Sequence, residues 1–367
     1  MTGFEHLAVV WGLLGPLAPE AAVSAALLPP LQSGLGPVGA AGEFVYDLLL
    51  VVLDGWYWLL TQLYYLTGLE LISPEYRFMH RALLVGLCIG VMAPLIGTFL
   101  VHRQLSLIGD ALAHTAFAGV AVGLFLNGVL ELGVSPYLTA VVVAMLAALL
   151  IELISEVTDA YNDVSMAIVL STGFALGTVL ISLNAGGLAV GINQYLFGNL
   201  STVSAENAAI LLVLFAVIVV TVAVTRNQLL YVTFDETAAE VSGIPVKWYN
   251  RVVVMLTALV VVGAMQIMGV ILVAAMLVVP VAAASQVSRS FAGSLWTSVA
   301  LAEIAVVLGI GIAYYGEATA GGVIVLVAVA VYAVCVLAGK LRTRYGSDAP
   351  APEVGAVDAE ATEVGSD

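Results

Sequence analysis

The sequence has few charged residues and very few cysteines, and both shortages restrict the class of protein. Only 10% of the 367 residues are charged, whereas 62% are hydrophobic and the mean hydropathy is +1.11. This hydrophobic share is well above the roughly 45–50% found in soluble domains, which excludes a soluble globular protein. Cys88 and Cys335 both lie inside apolar runs, which argues against a disulfide framework and against a thiolate metal site.

Sequence motifs for catalysis and nucleotide binding are also missing. The chain has no H-E-x-x-H run, no nucleophile–base pair that can be recognised and no Walker A sequence. An intramembrane enzyme is therefore disfavoured, and we predict that the chain is not an enzyme. If ATP drives its activity, the ATP must be hydrolysed by another subunit. No nucleic-acid partner is predicted.

Long apolar runs dominate what is present. The alternating segments of about 10 residues that form membrane barrels are absent, whereas runs of roughly 18 residues or more, enough to cross about 30 Å of hydrocarbon as helices, recur along the chain. We therefore predict an all-α, polytopic helical membrane protein with about nine or ten transmembrane helices. The predicted spans are 44–66, 78–101, 111–130, 136–155, 165–183, 207–225, 250–271, 272–287, 294–314 and 321–339.

The charges that do occur are mostly acidic, and their distribution predicts the topology. The net charge is −15, and an acidic surface with few lysines is typical of a halophilic host. Eight of the ten basic residues fall at cytoplasmic ends if the chain starts inside, which predicts a multi-pass plasma-membrane protein with both termini in the cytoplasm. Residues 1–43 are predicted to be a flexible extension, 44–77 an extra transmembrane helix with an external loop, and 342–367 a disordered acidic tail.

One candidate site lies in the stretch "LIGDALAH". Asp110 and His114 are four residues apart at the start of a span, so they share one helix face and their side chains can approach one ion. Asp110 follows Gly109 at a helix start, where an acid also favourably caps free N–H groups. His114 lies one turn deeper, where an ionisable group is costly and usually faces an interior pathway. Capping and metal passage both remain open for Asp110.

A second candidate site lies in the loop 226–250. Thr233 and Glu236 have the spacing of a capping box, Gly243 suits a helix C-terminus and Pro245 prevents continuation, so a short helix of about 234–242 is predicted. The helix is amphipathic, because apolar residues recur at helical spacing on one side and glutamates on another. It is either an ordinary interfacial loop helix or a helix that inserts into a groove of a cytoplasmic partner. The apolar positions are Phe234, Ala238 and Val241.

A further ionisable residue, Glu303, falls near the middle of a predicted span. Ionisable groups at that depth are usually functional or paired. We therefore treat Glu303 as a candidate for the metal pathway or for a buried pair.

Four segments of the chain resemble successive segments of the permease family of ATP-binding-cassette importers for zinc, manganese and iron. The resemblance covers about 78–340, so 78–341 is predicted to be the metal-importer permease domain. It implies a homodimeric permease that works with a cytoplasmic ATPase dimer and an external metal-binding protein. The four segments are "FMHRALLVGLCIGVMAPLIGTFLVHRQLSLIGDALAHTAFAGVAVG", "YLFGNLSTVS", "FDETAAEVSGIPV" and "MGVILVAAMLVVPVAAASQVSR".

The resemblance also implies roles for individual residues. Asp110 and His114 match residues implicated in metal passage, and the loop 226–250 matches the loop that carries the coupling helix. Ala118 departs from the family, which usually has proline there. The divalent ion is then the transported substrate, and no permanently bound cofactor is expected. The residues implied in ATPase coupling are Phe234, Asp235, Ala238, Val241, Gly243 and Pro245.

Two other transporter classes remain as alternatives. A siderophore- or cobalamin-type importer would also dimerise and use a cytoplasmic coupling helix, but it would have a broad cavity without metal ligands. A gradient-driven metal carrier would show a repeated pair of interrupted helices, which the sequence does not. Zinc, manganese and iron all accept carboxylate and imidazole, so the sequence leaves the ion open.

Overall fold

The computed structural model describes residues 36–130, 133–158, 162–183, 195–198, 203 and 205–346. Within these ranges the chain is helical, with a short 3-10 turn at Glu70–Ile72 and no strand. The helices are α1 Gly36–Thr67, α2 Arg77–His102, α3 Ile108–Leu130, α4 Pro136–Thr158, α5 Asn162–Leu183, α6 Ala205–Phe234, α7 Glu236–Val241, α8 Val246–Met268, α9 Val270–Val287, α10 Phe291–Tyr315 and α11 Ala320–Gly346.

The helices confirm the predicted all-α, polytopic class. Eight helices in the described ranges, namely α2–α6, α8, α10 and α11, are long and apolar enough to cross a membrane. A shorter apolar segment, Leu272–Val287, forms most of α9, and α1 overlaps the first predicted span. Helices satisfy their own backbone hydrogen bonds, so the backbone of such a chain needs no hydrogen bonds from water inside the hydrocarbon layer.

The ends of some helices differ from those predicted. Helix α1 begins at Gly36, inside the predicted extension, and α11 ends at Gly346, inside the predicted acidic tail. Composition alone does not determine where a helix frays, which explains both differences. Residues 1–35 and 347–367, which make up most of those two predicted segments, lie outside the described residues.

A single glycine divides the predicted spans 250–271 and 272–287. Gly269 separates α8 from α9 and has a φ of +77°, a conformation that glycine adopts without the strain other residues incur. A side chain there would also collide with the backbone of Leu196 and Phe197. The break between the two helices therefore depends on this residue.

Helix α2 lies at the centre of the bundle. It is the most buried of the eight spans and packs against α6, α8, α9 and α10. Its inward residues, including Met92, Ile96 and Phe99, are almost completely inaccessible. The C-terminal end of α2 is therefore held firmly, and the chain turns there directly into α3.

Helix α3, which carries Asp110 and His114, packs most extensively against α4 and α5. Small residues allow these close approaches: Gly119 faces Ala140 of α4, and Gly173 of α5 faces Thr115. In lipid there is little hydrophobic force between helices, so close van der Waals packing at small residues holds them together.

Side-chain contacts show which helix ends lie together. At one end, His102 lies near Phe234 and Phe291, and Arg251 pairs with Glu156, so the ends of α2, α4 and α6 meet the starts of α8 and α10. At the opposite end, Tyr76 lies 6.1 Å from Tyr314 between ring centroids. The start of α3, which carries Asp110, lies at the first of these ends, because Ile108 lines the same cavity as Glu236 and Glu240 of α7.

The close contact between α2 and α9 predicts a stability change. A side chain at Gly97 would overlap the backbone carbonyl of Leu277, whereas one at Gly55 would meet nothing within 4 Å. We expect Gly97→Ala to lower the stability of the detergent-solubilised protein by about 1–3 kcal/mol, because overpacking forces the helices apart. Thermal melting would show this as a lower midpoint. Equal midpoints for Gly97→Ala and the control Gly55→Ala would contradict the close contact.

Candidate functional site

Asp110 and His114 form a pair at the start of α3. The helix begins at Ile108, so Asp110 lies in its first turn and His114 one turn further on. Nε2 of His114 is 3.7 Å from Oδ1 of Asp110, too far for a hydrogen bond. Two ligand atoms that each bind one ion at about 2.0–2.2 Å lie about 3–3.5 Å apart, so a small side-chain movement would let both bind one ion.

The position of Asp110 bears on the capping alternative. Because α3 begins before Asp110, this residue is not the N-cap, and the N–H of Ala111 donates to the carbonyl of Leu107. Within the described part of the chain, the polar partner of the Asp110 carboxylate is His114. The negative charge of Asp110 is still stabilised here, because the N-terminus of a helix is the positive end of its dipole. Capping by a side-chain hydrogen bond therefore does not explain the acid.

The pair lies at an open edge of the bundle. The side chain of Asp110 is 41% exposed and that of His114 is 23% exposed. The His114 ring meets the Phe174 ring of α5 edge to face at 5.3 Å between centroids. Phe174 therefore covers one side of the imidazole.

The described residues contain no group of three or more histidine, cysteine or acidic side chains placed to hold a metal ion. Glu303 therefore does not join Asp110 and His114. It lies instead between α10 and α2, where a side chain at Gly90 would come within 2.7 Å of its Oε1, and both carboxylate oxygens are buried without a hydrogen-bond partner in the described ranges. Its assignment to the metal pathway stays a prediction.

The predicted short helix in the loop 226–250 is present as α7, although its cap differs from the prediction. Asp235 is the N-cap, and its Oδ1 accepts a hydrogen bond of 2.9 Å from the N–H of Ala238. The capping box at Thr233 is wrong, because α6 continues to Phe234 and the Thr233 hydroxyl donates back to the carbonyl of Leu229.

The C-terminus of α7 ends as a Schellman motif. Gly243, at a φ of +80°, donates its N–H to the carbonyl of Glu240, and Ile244 donates to the carbonyl of Ala239. Pro245 follows as the N-cap of α8. Gly243 and Pro245 therefore bound the helix as predicted.

Helix α7 has a buried face and an exposed face. Ala239 is fully buried against Val232 and Val246, which fixes the helix to the ends of α6 and α8. Ala238 and Val241 are exposed, and Val241 is 86% accessible. This leaves an exposed apolar surface available for a partner.

Phe234 is not part of α7. It is the last residue of α6, and its ring lies 6.2 Å from that of His102 and 5.7 Å from that of Phe291 between centroids. Although 65% exposed, Phe234 belongs to an aromatic cluster within this chain. The prediction that placed it on the short helix with Ala238 and Val241 is therefore wrong, because α6 extends further than its apolar run indicated.

Arg103, one of the eight basic residues whose positions predict the orientation, also contacts the loop 226–250 directly. It donates from Nε to the Thr233 hydroxyl at 3.0 Å and from Nη1 to Oδ1 of Asn250 at 2.7 Å. Burial lowers the pKa of Arg103, while the carboxylates of Glu236 and Glu152 act in the opposite direction. In the sequence, the one feature that could have indicated this role is the position of Arg103 between a predicted span and the "LIGDALAH" stretch.

Comparison with known proteins identifies the class. Residues 75–339 match the ABC 3 transport family, so this chain belongs to that family. The match agrees with the span of about 78–340 inferred from the four segments. The predictions of a permease subunit and of a chain that is not an enzyme are thereby confirmed, and a gradient-driven carrier is excluded.

Particular relatives carry names that specify the cargo. The manganese import system permease protein ScaB of Streptococcus gordonii is 32% identical over 260 residues, which covers 71% of this chain and 91% of the relative. The manganese transport system membrane protein MntC of Listeria monocytogenes is 28% identical over 263 residues, covering 72% and 91%. The solved structure of PsaBC from Streptococcus pneumoniae in complex with Fab is 32% identical, with a TM-score of 0.63, over 71% of this chain and 91% of that one.

The cap of α7 gives a prediction about loop stability. Replacing Asp235 with alanine removes the acceptor for the Ala238 N–H and should weaken the helix by about 1 kcal/mol. Amide hydrogen exchange of residues 236–243 should then be faster. Asp235→Asn keeps an acceptor oxygen and should retain most of the protection. If the alanine and asparagine variants exchange equally slowly, the cap does not stabilise the helix.

Proposed function

We propose that this chain forms the transmembrane pathway of an ATP-driven importer for divalent transition metal ions, with manganese as the first ion to test. The observation that carries the proposal is the Asp110–His114 pair at an open edge of the bundle in a member of this transport family. Manganese is favoured because ScaB and MntC carry that name. Zinc and ferrous iron also accept carboxylate and imidazole ligands.

A second copy of the chain would complete the site. One Asp and one His supply too few ligands, and the described residues add no third histidine, cysteine or acid. A two-fold axis beside α3 would bring a second Asp110 and a second His114, giving a mixed oxygen and nitrogen set that suits manganese, zinc or iron and poorly suits copper(I). Weak binding is an advantage, because a transported ion must leave.

The outer face of α5 has the character expected of such an interface. It lies beside His114 through Phe174 and contains two shallow grooves of about 570 and 400 Å³ between residues 163 and 179. Apolar side chains that are about half exposed or more cover this face. They include Val164, Ile168, Phe174, Leu176 and Val179.

We assign the remaining partners from the charge at the two ends of the bundle. The end that contains α7 has most of the basic residues, which supports a cytoplasmic orientation for that end and, by the count of charges in the sequence, for both termini. There α7 presents Ala238 and Val241 to a dimer of ATPase subunits, with its cap and C-terminal turn fixing its orientation. The opposite end receives the ion from an external metal-binding protein. In this arrangement α7 is the coupling helix.

The metal pair gives the main test of the proposal. Asp110→Asn removes the charge that a divalent ion needs, and His114→Ala removes the imidazole. Each should reduce uptake of radiolabelled manganese by more than about tenfold, since even changes around metal ligands cost about 10–100-fold. The double variant should be little worse than either single one, because both residues hold one ion.

The matched control is Glu70→Gln, which also removes one carboxylate charge but lies at an exposed position outside the matched residues 75–339. Uptake is normalised to the amount of permease in the membrane, and the control should transport near the wild-type rate. Near-normal uptake by both Asp110→Asn and His114→Ala would overturn the assignment of the pair. Repeating the assay with zinc and iron would identify the ion.

The exposed face of α7 gives a second test. Val241→Asp places a charge in the apolar contact with the ATPase and should abolish the stimulation of ATP hydrolysis by the loaded binding protein. Val241→Thr keeps the shape without the charge and should retain most of the stimulation. The assay uses the reconstituted complex. Unchanged stimulation by the aspartate variant would mean that α7 only lies along the membrane surface.

A further inference from the structure

Arg103 occupies the turn that joins α2 to α3. It is the C-cap residue of α2, and the next residue, Gln104, has a φ of +60°, an uncommon conformation for a residue with a side chain. The turn is tightly closed, because the N–H of Leu105 donates to the carbonyl of Leu100 at 2.9 Å. Helix α3 starts at Ile108, and Asp110 lies in its first turn. Movement of this turn therefore moves the start of the helix that carries the metal pair.

The side chain of Arg103 reaches both ends of the coupling loop. Thr233 lies in the last turn of α6, before α7, and Asn250 lies near the start of α8, after α7. Asn250 in turn donates to Oε1 of Glu236, in the first turn of α7, at 3.5 Å. The guanidinium group of Arg103 therefore contacts the chain just before α7 and just after it. It is also connected to α7 itself through Asn250.

The surroundings of Arg103 favour directed hydrogen bonds over tight apolar packing. A cavity of about 330 Å³ lies beside it, lined in part by Glu152, Glu236, Glu240 and Asn250. Because this space is open and polar, the loop can shift without overpacking a core. A cationic donor in a partly buried site forms stronger hydrogen bonds than a neutral one, so the loop and Arg103 stay connected during the shift.

We propose that Arg103 is a positioning residue that makes the coupling loop and the α2–α3 turn move as one unit. Displacement of α7 by the ATPase is thereby transmitted to α3 and to the orientation of Asp110 and His114. This inference rests on the proposed function, since it assigns a route between the coupling helix and the metal pair. It goes beyond that function by naming a residue that touches neither the ion nor the ATPase.

The experiment uses the complete complex of permease, ATPase and binding protein in proteoliposomes, with manganese as the transported ion. It measures ATP hydrolysis stimulated by the loaded binding protein and the number of ions imported per ATP hydrolysed. Arg103→Gln should lower the number of ions imported per ATP by at least about tenfold, the change expected for loss of a single charge-assisted hydrogen bond. ATPase binding to the permease should stay intact, because α7 keeps its cap and its exposed face.

Two further variants keep the test decisive if Arg103→Gln fails to assemble. Arg103→Lys retains the charge but lacks the forked geometry that contacts both partners at once, so it should assemble and show a partial loss. Asn250→Leu removes the acceptor on α8 and should lower the ratio in the same direction. Combining Asn250→Leu with Arg103→Lys should add less than the sum of the two effects, because they share a hydrogen bond.

The matched control is Arg251→Gln at the same end of the bundle. Arg251 forms an ion pair of 3.0 Å with Glu156 of α4 and is 45% exposed. A merely structural need for arginine near the loop would affect both sites, whereas the proposed transmission affects only Arg103. We therefore expect the control to import nearly the wild-type number of ions per ATP.

The outcomes separate this inference from the proposed function. If the wild-type complex shows no ATP-dependent manganese, zinc or iron uptake, the proposed function fails and the inference fails with it. If the wild type transports but assembled Arg103→Lys and Asn250→Leu complexes keep the normal ratio, only the role of Arg103 is overturned. An equal loss in Arg251→Gln would also overturn it.

Discussion

A polar group placed in hydrocarbon has no water to bind, and this constraint determines where the ionisable residues of this protein lie. Backbone groups satisfy it by forming helices throughout the described spans. Asp110 and His114 satisfy it by lying one turn apart at the start of α3, where both side chains are partly exposed. Glu303 is placed differently, because its carboxylate is enclosed between α2 and α10 at Gly90. The pair is open at the edge of the bundle, whereas the Glu303 carboxylate is buried between two helices.

Close packing at small residues fixes the position of the helix that carries Asp110 and His114. Gly119 and Gly173 let α4 and α5 approach α3 on two sides, and Gly97 lets α2 approach α9. Helix α3 is therefore held on its inner sides, while the side bearing Asp110 remains accessible. A second copy placed on that side would meet the outer face of α5, so one arrangement would bury the apolar face and complete the ligand set.

The loop 226–250 is held by contacts of two kinds. The Asp235 cap and the turn at Gly243 define α7 from within the loop, and Ala239 anchors it to the ends of α6 and α8. Its attachment to the α2–α3 turn depends instead on hydrogen bonds from Arg103 beside a polar cavity. Such a connection can transmit a displacement while the transmembrane core keeps its packing.

The sequence by itself determined the features that depend on near neighbours along the chain. Apolar runs predicted the spans, the spacing of Asp110 and His114 placed both on one helix face, and Gly243 and Pro245 predicted where α7 ends. Contacts between distant segments were decided only by the tertiary structure. They include the separation of Glu303 from Asp110 and His114, the place of Phe234 beside Phe291 and the hydrogen bonds from Arg103 to Thr233 and Asn250. Periodicity reports which face of a helix a residue occupies, but the partner that meets that face depends on how all the helices pack.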